Sequence, residues 1–228
     1  MKTYCAALSI FAVALAVGPR ADAANILGDG SFETPNVSGS PGYQTFLSGD
    51  TALSPWVIGL NSIDVLNVSN SIVVGPAYDG SQYVDLNGND TGQLSQTFAT
   101  SALQQYQFSF AYADNYSGPP SPHKAEVQIF DTNTNADLIV PLTITHNTSV
   151  PNNLNWIFLT GTFTAIDSTT TIRFTSIDTA AEVHAPTAPS GILLDDVTVE
   201  AIPETSTIVA ALLTLALLAG HAVRRRLA

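Results

Sequence analysis

Apolar and polar positions alternate with a period of two in short runs along most of this chain, and clusters of Gly, Pro, Asn and Asp separate the runs. Half-buried strands give that pattern, whereas an amphipathic helix repeats near every 3.6 residues. Tyr106, Phe108, Phe110 and Tyr112 are spaced by two and fall on one face of a strand. Residues 63–66, 82–86, 93–98, 125–130, 156–163, 170–177 and 192–199 read as further strands. No capped helical pattern interrupts them between Asn25 and Glu200. The spacing implies an all-β, antiparallel sandwich or barrel, and the sandwich is the expected form, in which two packed sheets manage edges that one sheet would leave open. Residues 115–123 and 182–190 are rich in proline and read as long loops, where binding residues usually sit.

The chain ends follow another pattern. Lys2 precedes an apolar run from Cys5 to Val17, and Ala21-Asp22-Ala23 has the form of a signal-peptidase site. Residues 1–23 therefore read as a cleavable export signal. At the other end, Pro203-Glu204-Thr205-Ser206-Thr207 leads into an apolar run over 208–223 and then Arg224-Arg225-Arg226. Such a run crosses a bilayer only marginally, since a comfortable span takes ~20 residues. The arginines would stay on the cytoplasmic side.

This tail, residues 202–228, resembles the PEP-CTERM sorting signal of Gram-negative bacteria. There a Pro-Glu-Pro is followed by an apolar helix and terminal arginines, and an exosortase cuts near the motif. The resemblance implies a sorting motif of Pro203, Glu204, Arg224, Arg225 and Arg226. It also implies a transient membrane anchor, an exosortase-type protease as partner, and a final place in the cell envelope or extracellular matrix. Thr205 stands where the third motif residue is usually Pro. An ordinary C-terminal anchor is the plainer alternative. Residues 24–201 remain as one folded domain, long enough for a real core.

Charge narrows the partners. From Asn25 to Glu200 seventeen Asp and Glu face only Lys124 and Arg173, a net of −15. Nucleic acid is excluded, because its affinity comes from Lys and Arg on phosphates. Neutral ligands and divalent cations suit such a surface, and so does simple solubility outside the cell. Cys5 is the one cysteine and lies in the signal, so the mature domain has no disulfide.

In the last run, Leu193, Asp195, Val197 and Val199 alternate, which predicts an apolar strand face with a carboxylate in it. A buried carboxylate is costly unless paired or hydrogen-bonded. With two cations in the domain, a metal or backbone N–H groups are the expected partners, and calcium is the natural metal for carboxylate and carbonyl oxygens. A solvated strand end is the alternative.

The opening residues 25–33 and the closing residues 191–199 resemble galactose-binding-like jelly rolls. These include carbohydrate-binding modules that open with Asn-Gly-x-Phe-Glu and close with Leu-Asp-Asp-Val. That resemblance implies a structural calcium bridging the first and last strands, with Glu33 and Asp195 as ligands. Pro55-Trp56-Val57, Ser62 to Val65, Asp79 to Gly88 and Gly92 to Phe98 form an ordered series similar to the choice-of-anchor C family and its plant cell-wall relatives. That likeness implies fold more than function.

No catalytic constellation is visible. His123, His146 and His184 lack a Cys or Glu at metal-ligand spacing, and neither a Gly-x-Ser-x-Gly elbow nor a His-Glu-x-x-His helix occurs. The expectation is a non-catalytic polysaccharide binder, with a structural matrix protein or a hydrolase accessory as alternatives. Sugar binding needs an aromatic platform beside planar polar groups. Trp56 and Trp156 read as core. Tyr116 lies in a loop beside Asp114 and Asn115, so Asp114, Asn115 and Tyr116 are the expected ligand contacts.

Overall fold

The computed structural model describes residues 24–203 except 71, 119–121, 180–182 and 184–188. The expected signal, the apolar run and residues Glu204 and Arg224 to Arg226 lie outside the described residues, as does His184.

Among the described residues the strands are β1 (Tyr43–Leu47), β2 (Val57–Leu60), β3 (Ser62–Asn67), β4 (Gln82–Asp85), β5 (Gln93–Ala99), β6 (Gln105–Asp114), β7 (His123–Asp131), β8 (Leu142–His146), β9 (Ile157–Thr164), β10 (Thr169–Ser176) and β11 (Ile192–Ala201). Six form one sheet in the order β1-β3-β4-β11-β6-β9, and five form the other in the order β2-β5-β10-β7-β8. All neighbours pair antiparallel. This is the expected two-sheet antiparallel sandwich.

The core follows from alternation. Tyr106, Phe108, Phe110 and Tyr112 of β6 point inward together, against Ile172 and Phe174 of β10 and Val127 and Ile129 of β7. Trp56 is buried between Phe32 and Phe174, with ring centroids 5.3 and 6.5 Å away. Its indole N–H donates to the Asp29 carbonyl at 2.9 Å, so the buried ring leaves no polar atom unpaired.

Two expectations about the domain ends are corrected. Residues 25–33 do not form a strand. Asp29 and Phe32 have φ of 50° and 55°, and left-handed residues cannot continue a ladder. The segment still lies along β11, through Ile26 N–H to the Val199 carbonyl and Val197 N–H to the Gly30 carbonyl, both 2.9 Å. Second, Asp195 does not share a face with Val197 and Val199. Asp196 adopts φ 48°, and the β6–β11 pairing changes register between Asp195 and Thr198. This bulge inserts one residue and reverses the alternation. Val197 and Val199 face the core, while Leu193 and Asp195 face outward from the six-stranded sheet.

That outer face is covered too. Residues 68–70 and 72–81, between β3 and β4, cross it as a strap. Val73 and Ala77 of the strap pack with Leu66, Tyr83, Ala113, Leu193, Leu154, Tyr116 and Trp156 in a second apolar cluster.

Candidate functional site

Asp195, Glu33 and Tyr116 are among the side chains that hold the strap to the sheet. Asp195 Oδ2 accepts the N–H groups of Tyr78 and Asp79 at 2.8 and 2.9 Å, and its Oδ1 accepts the Asp196 N–H at 2.7 Å. Glu33 Oε1 accepts the N–H groups of Ser81 and Gln82 at 2.6 and 2.8 Å. The Tyr116 hydroxyl accepts the Val74 N–H at 2.6 Å and donates to the Val74 carbonyl at 3.2 Å. Gly80 lies between the two carboxylate anchors with φ +63°, and a Cβ there would run into the Glu33 carboxylate. Glu33 and Asp195 thus join the two ends of the domain to one central segment, through backbone N–H groups.

The calcium expectation meets this geometry directly. Among the described residues no three His, Cys, Asp or Glu side chains gather as a metal-binding group. N–H donors already occupy lone pairs on both carboxylates. Burial is the main force on Asp195 and pushes its carboxyl up to about 8; the three N–H bonds oppose it, and the nearby Asp79 carboxylate adds to it. Asp196 is raised as well, by burial and by Asp79.

Of the expected ligand contacts, Asp114 accepts from His146 Nδ1 and from the Ser149 N–H, the latter at 3.0 Å. Asn115 is buried and donates to Asp85 Oδ2 at 2.8 Å. Tyr116 is the strap anchor described above. The three are neighbours in sequence but serve three separate contacts.

Asn115 also belongs to a buried polar centre at one end of the sandwich. There Asp178 Oδ2 meets His123 Nδ1 at 3.0 Å and accepts from Asn87 Nδ2 at 3.0 Å. The same end of the outer face holds a cavity of about 120 Å³ lined by Tyr43, Thr45, Asp64, Leu66, Asn89 and Asn115, among others. Asp64 Oδ1 is buried with no hydrogen-bond partner. Burial raises Asp64, and burial pushes Asp85, directly across the β3–β4 ladder, up to about 7.

On the other side of the strap lies a feature that strand alternation alone did not predict. Tyr78 and Phe158 stack with ring centroids 5.7 Å apart and planes 10° from parallel. Trp156 meets Tyr78 edge-on at 6.4 Å, and its indole N–H donates to the Pro76 carbonyl at 3.0 Å. Tyr78 and Phe158 are 44% and 48% exposed, which is unusual for large aromatics held by neighbours. Asp79 follows Tyr78 directly, and Asp196 lies close enough to Asp79 to feel its charge. A signal was present in Trp156-Ile157-Phe158-Leu159. Alternation sets Trp156 and Phe158 on one face and Ile157 and Leu159 on the other, so either the two aromatics or the two aliphatics turn away from the core. Asp195 likewise places Tyr78 beside Phe158, but through the bulge, which has no sequence mark of its own.

Comparison with known proteins fixes the family. Residues 25–200 match the model of DUF642, described as a protein of unknown function. The chain belongs to the DUF642 family. Among curated proteins it is similar to halomucin of Haloquadratum walsbyi, 26% identical over 178 residues, which cover 77% of this chain but 2% of halomucin. The sandwich resembles solved carbohydrate-binding modules. One is TmCBM61 in complex with β-1,4-galactotriose, at 15% identity, TM-score 0.47, 78% of this chain and 99% of that one. Another is CBM4, at 18% identity, TM-score 0.39, 77% and 99%. A third is a family 35 carbohydrate-binding module from Clostridium thermocellum, at 14% identity, TM-score 0.38, 69% and 96%. At these identities the likeness concerns the sandwich alone.

Proposed function

We propose that this DUF642 domain is a non-catalytic, jelly-roll-type polysaccharide binder, exported and sorted to the cell surface or extracellular matrix through its C-terminal tail. The observation that carries the binding reading is the aromatic group of exposed Tyr78 and Phe158 with half-buried Trp156, beside Asp79 and Asp196. A sugar ring presents C–H groups on its face and hydroxyls on its rim. An aromatic ring takes the face, and carboxylates accept from the hydroxyls. The net charge of −15 over residues 25–200 favours a neutral glycan. The cavity beside Asp64 and Asn115 extends the same outer face past the strap.

The test is binding to neutral polysaccharides by affinity electrophoresis. Tyr78→Ala with Phe158→Ala is expected to weaken retardation about tenfold or more, since the loss of stacking is worth roughly 1–1.5 kcal/mol. Melting should change little, because both rings are half exposed. Wild-type binding that survives the double substitution would move the site elsewhere. No binding to any glycan on an array would favour the structural matrix protein.

Sorting has its own measurement. Mass spectrometry of the extracellular form should find a C terminus close to Glu204. Extracellular material that keeps Arg224 to Arg226 would sink the sorting reading.

A further inference from the structure

The only two cations between Asn25 and Glu200, Lys124 and Arg173, belong to neighbouring strands of one sheet face. Strand β7 turns Ala125, Val127 and Ile129 into the core, so Lys124, Glu126, Gln128 and Phe130 point outward. Strand β10 turns Ile172 and Phe174 inward, so Thr171, Arg173 and Thr175 point outward beside them. This is the outer face of the five-stranded sheet, on the far side of the sandwich from the aromatic group.

Arg173 is held in an unusual way for so acidic a domain. Its Nε and Nη2 both donate to Gln128 Oε1, at 3.0 and 2.6 Å. Its guanidinium carbon lies 4.6 Å from the centroid of the Phe130 ring. The partners are therefore a neutral amide and an aromatic face, although seventeen carboxylates were available. A guanidinium pairs most strongly with a carboxylate, often bidentately. Here the fork is fixed in orientation, and among the described residues no carboxylate is bonded to it. Neutral groups line the face beside it, and the Glu126 carboxylate shares that face opposite Thr175 without bonding to the guanidinium. Thr171 Oγ1 is 2.8 Å from Thr97 Oγ1 and 2.9 Å from Thr132 Oγ1, and Gln93 Nε2 donates to Thr175 Oγ1 at 3.0 Å.

We infer that this face is a second glycan subsite, for a polysaccharide bearing carboxylates, with Arg173 as the anchor. The guanidinium takes the uronate carboxylate. The threonine hydroxyls and the Gln93 amide meet ring hydroxyls, and Phe130 holds the cation in place from beneath. The acidic remainder of the domain repels a polyanion, and salt at 0.15 M screens charges beyond about 8 Å. Recognition is then local to Arg173. Its residues are separate from those of the aromatic group, and each site is read with its own polymer.

The experiment is affinity electrophoresis of the full-length protein at pH 7 and 0.15 M salt, in gels holding polygalacturonate or its fully methyl-esterified form. Wild type should be retarded by polygalacturonate and about tenfold less by the ester, which lacks the charge but keeps the backbone. R173Q should lose the preference. Q128E places a carboxylate on the guanidinium while keeping the hydrogen bonds, and should lose it too. Equal retardation by both polymers, or none by polygalacturonate, would overturn the proposal without any reliance on how the variants fold.

Discussion

Asp195→Ala should melt roughly 6–12 °C below wild type. Its carboxyl is fully buried and accepts three backbone N–H groups, two of them from the strap. An orphaned buried donor costs about 1–3 kcal/mol. Tyr78 and Asp79 are exposed residues, so water recovers part of that cost and the net loss is about 3 kcal/mol. For a domain of this length each kcal/mol is worth about 2–4 °C. Asp195→Asn keeps one acceptor oxygen and should lie between the two. The same melts decide the calcium proposal at Glu33 and Asp195. An ion joining them stabilises by about 2.7 kcal/mol at a hundred times Kd. A chelator would then lower wild-type Tm and leave Asp195→Ala unmoved. Wild-type melting indifferent to calcium and chelator would leave the N–H bonds as the whole tie.

Acidification should stabilise this domain over a range where many proteins weaken. Burial pushes Asp195 up to about 8 and Asp85 up to about 7 in the fold, from an ordinary value near 3.8. A raised carboxyl means that the folded state holds a proton which the unfolded state has released. That stability is present in full below about pH 4 and is lost as pH rises through 7 and 8. His123 acts in the same direction. Burial lowers it, but the Asp178 carboxylate outweighs burial and leaves it raised, so its contribution also fades as pH rises. Asp114 is held below its ordinary value, against burial, by His146 and Ser149. Its contribution is lost only in acid and is constant from about pH 5 to 8.5. Each tenfold change in proton affinity is worth about 1.4 kcal/mol, and water entry on ionisation takes back much of that. A net of about 3 kcal/mol should put Tm roughly 6–12 °C higher at pH 5 than at pH 8.5. Asp195→Asn and Asp85→Asn should each flatten the curve. A Tm that climbs toward pH 8.5 would show both carboxylates ionised on their N–H donors at neutral pH.

The sandwich was legible because its strands turn every second residue into the core, and those of the five-stranded sheet keep the other face wetter. The β6 series of Tyr106 to Tyr112, and the runs that became β3, β4, β5, β7, β9, β10 and β11, carried that mark. Strands β1, β2 and β8 did not. Two are edge strands of the five-stranded sheet and one of the six-stranded sheet, and each is only four or five residues long. A strand of four or five residues has only two or three positions on each face, too few for a period to show, whereas β9, also at an edge, has eight residues. The need of Asp195 for a partner was also readable, from the shortage of cations. Its true face was not, because the bulge at Asp196 depends on a backbone angle that Asp tolerates but does not announce. The aromatic group depends on that same register. Asp114, Asn115 and Tyr116 looked like ligand residues for a sound reason, a polar loop on a rigid scaffold. In the fold their polar groups meet His146, Asp85 and Val74, and Asn115 also lines the cavity beside Asp64.

The last strand is not at an edge. β11 lies between β4 and β6, so without it the six-stranded sheet is two unconnected pieces, β1-β3-β4 and β6-β9. The opening segment closes on the same strand, with Asn25 Nδ2 donating to the Val197 carbonyl across 172 positions of sequence. Neither piece can shield its inner edge until residue 201 is available. Assembly is therefore a matter of timing as well as energy. A chain emerging from its N terminus stays open, with slow, long-range pairings ahead of it, until nearly all of it has been delivered. Under the export proposed above, late closure keeps the polypeptide threadable through a narrow channel. It also makes early truncation self-revealing, since a chain that ends before residue 192 offers two bare strand edges to whatever degrades unfinished proteins.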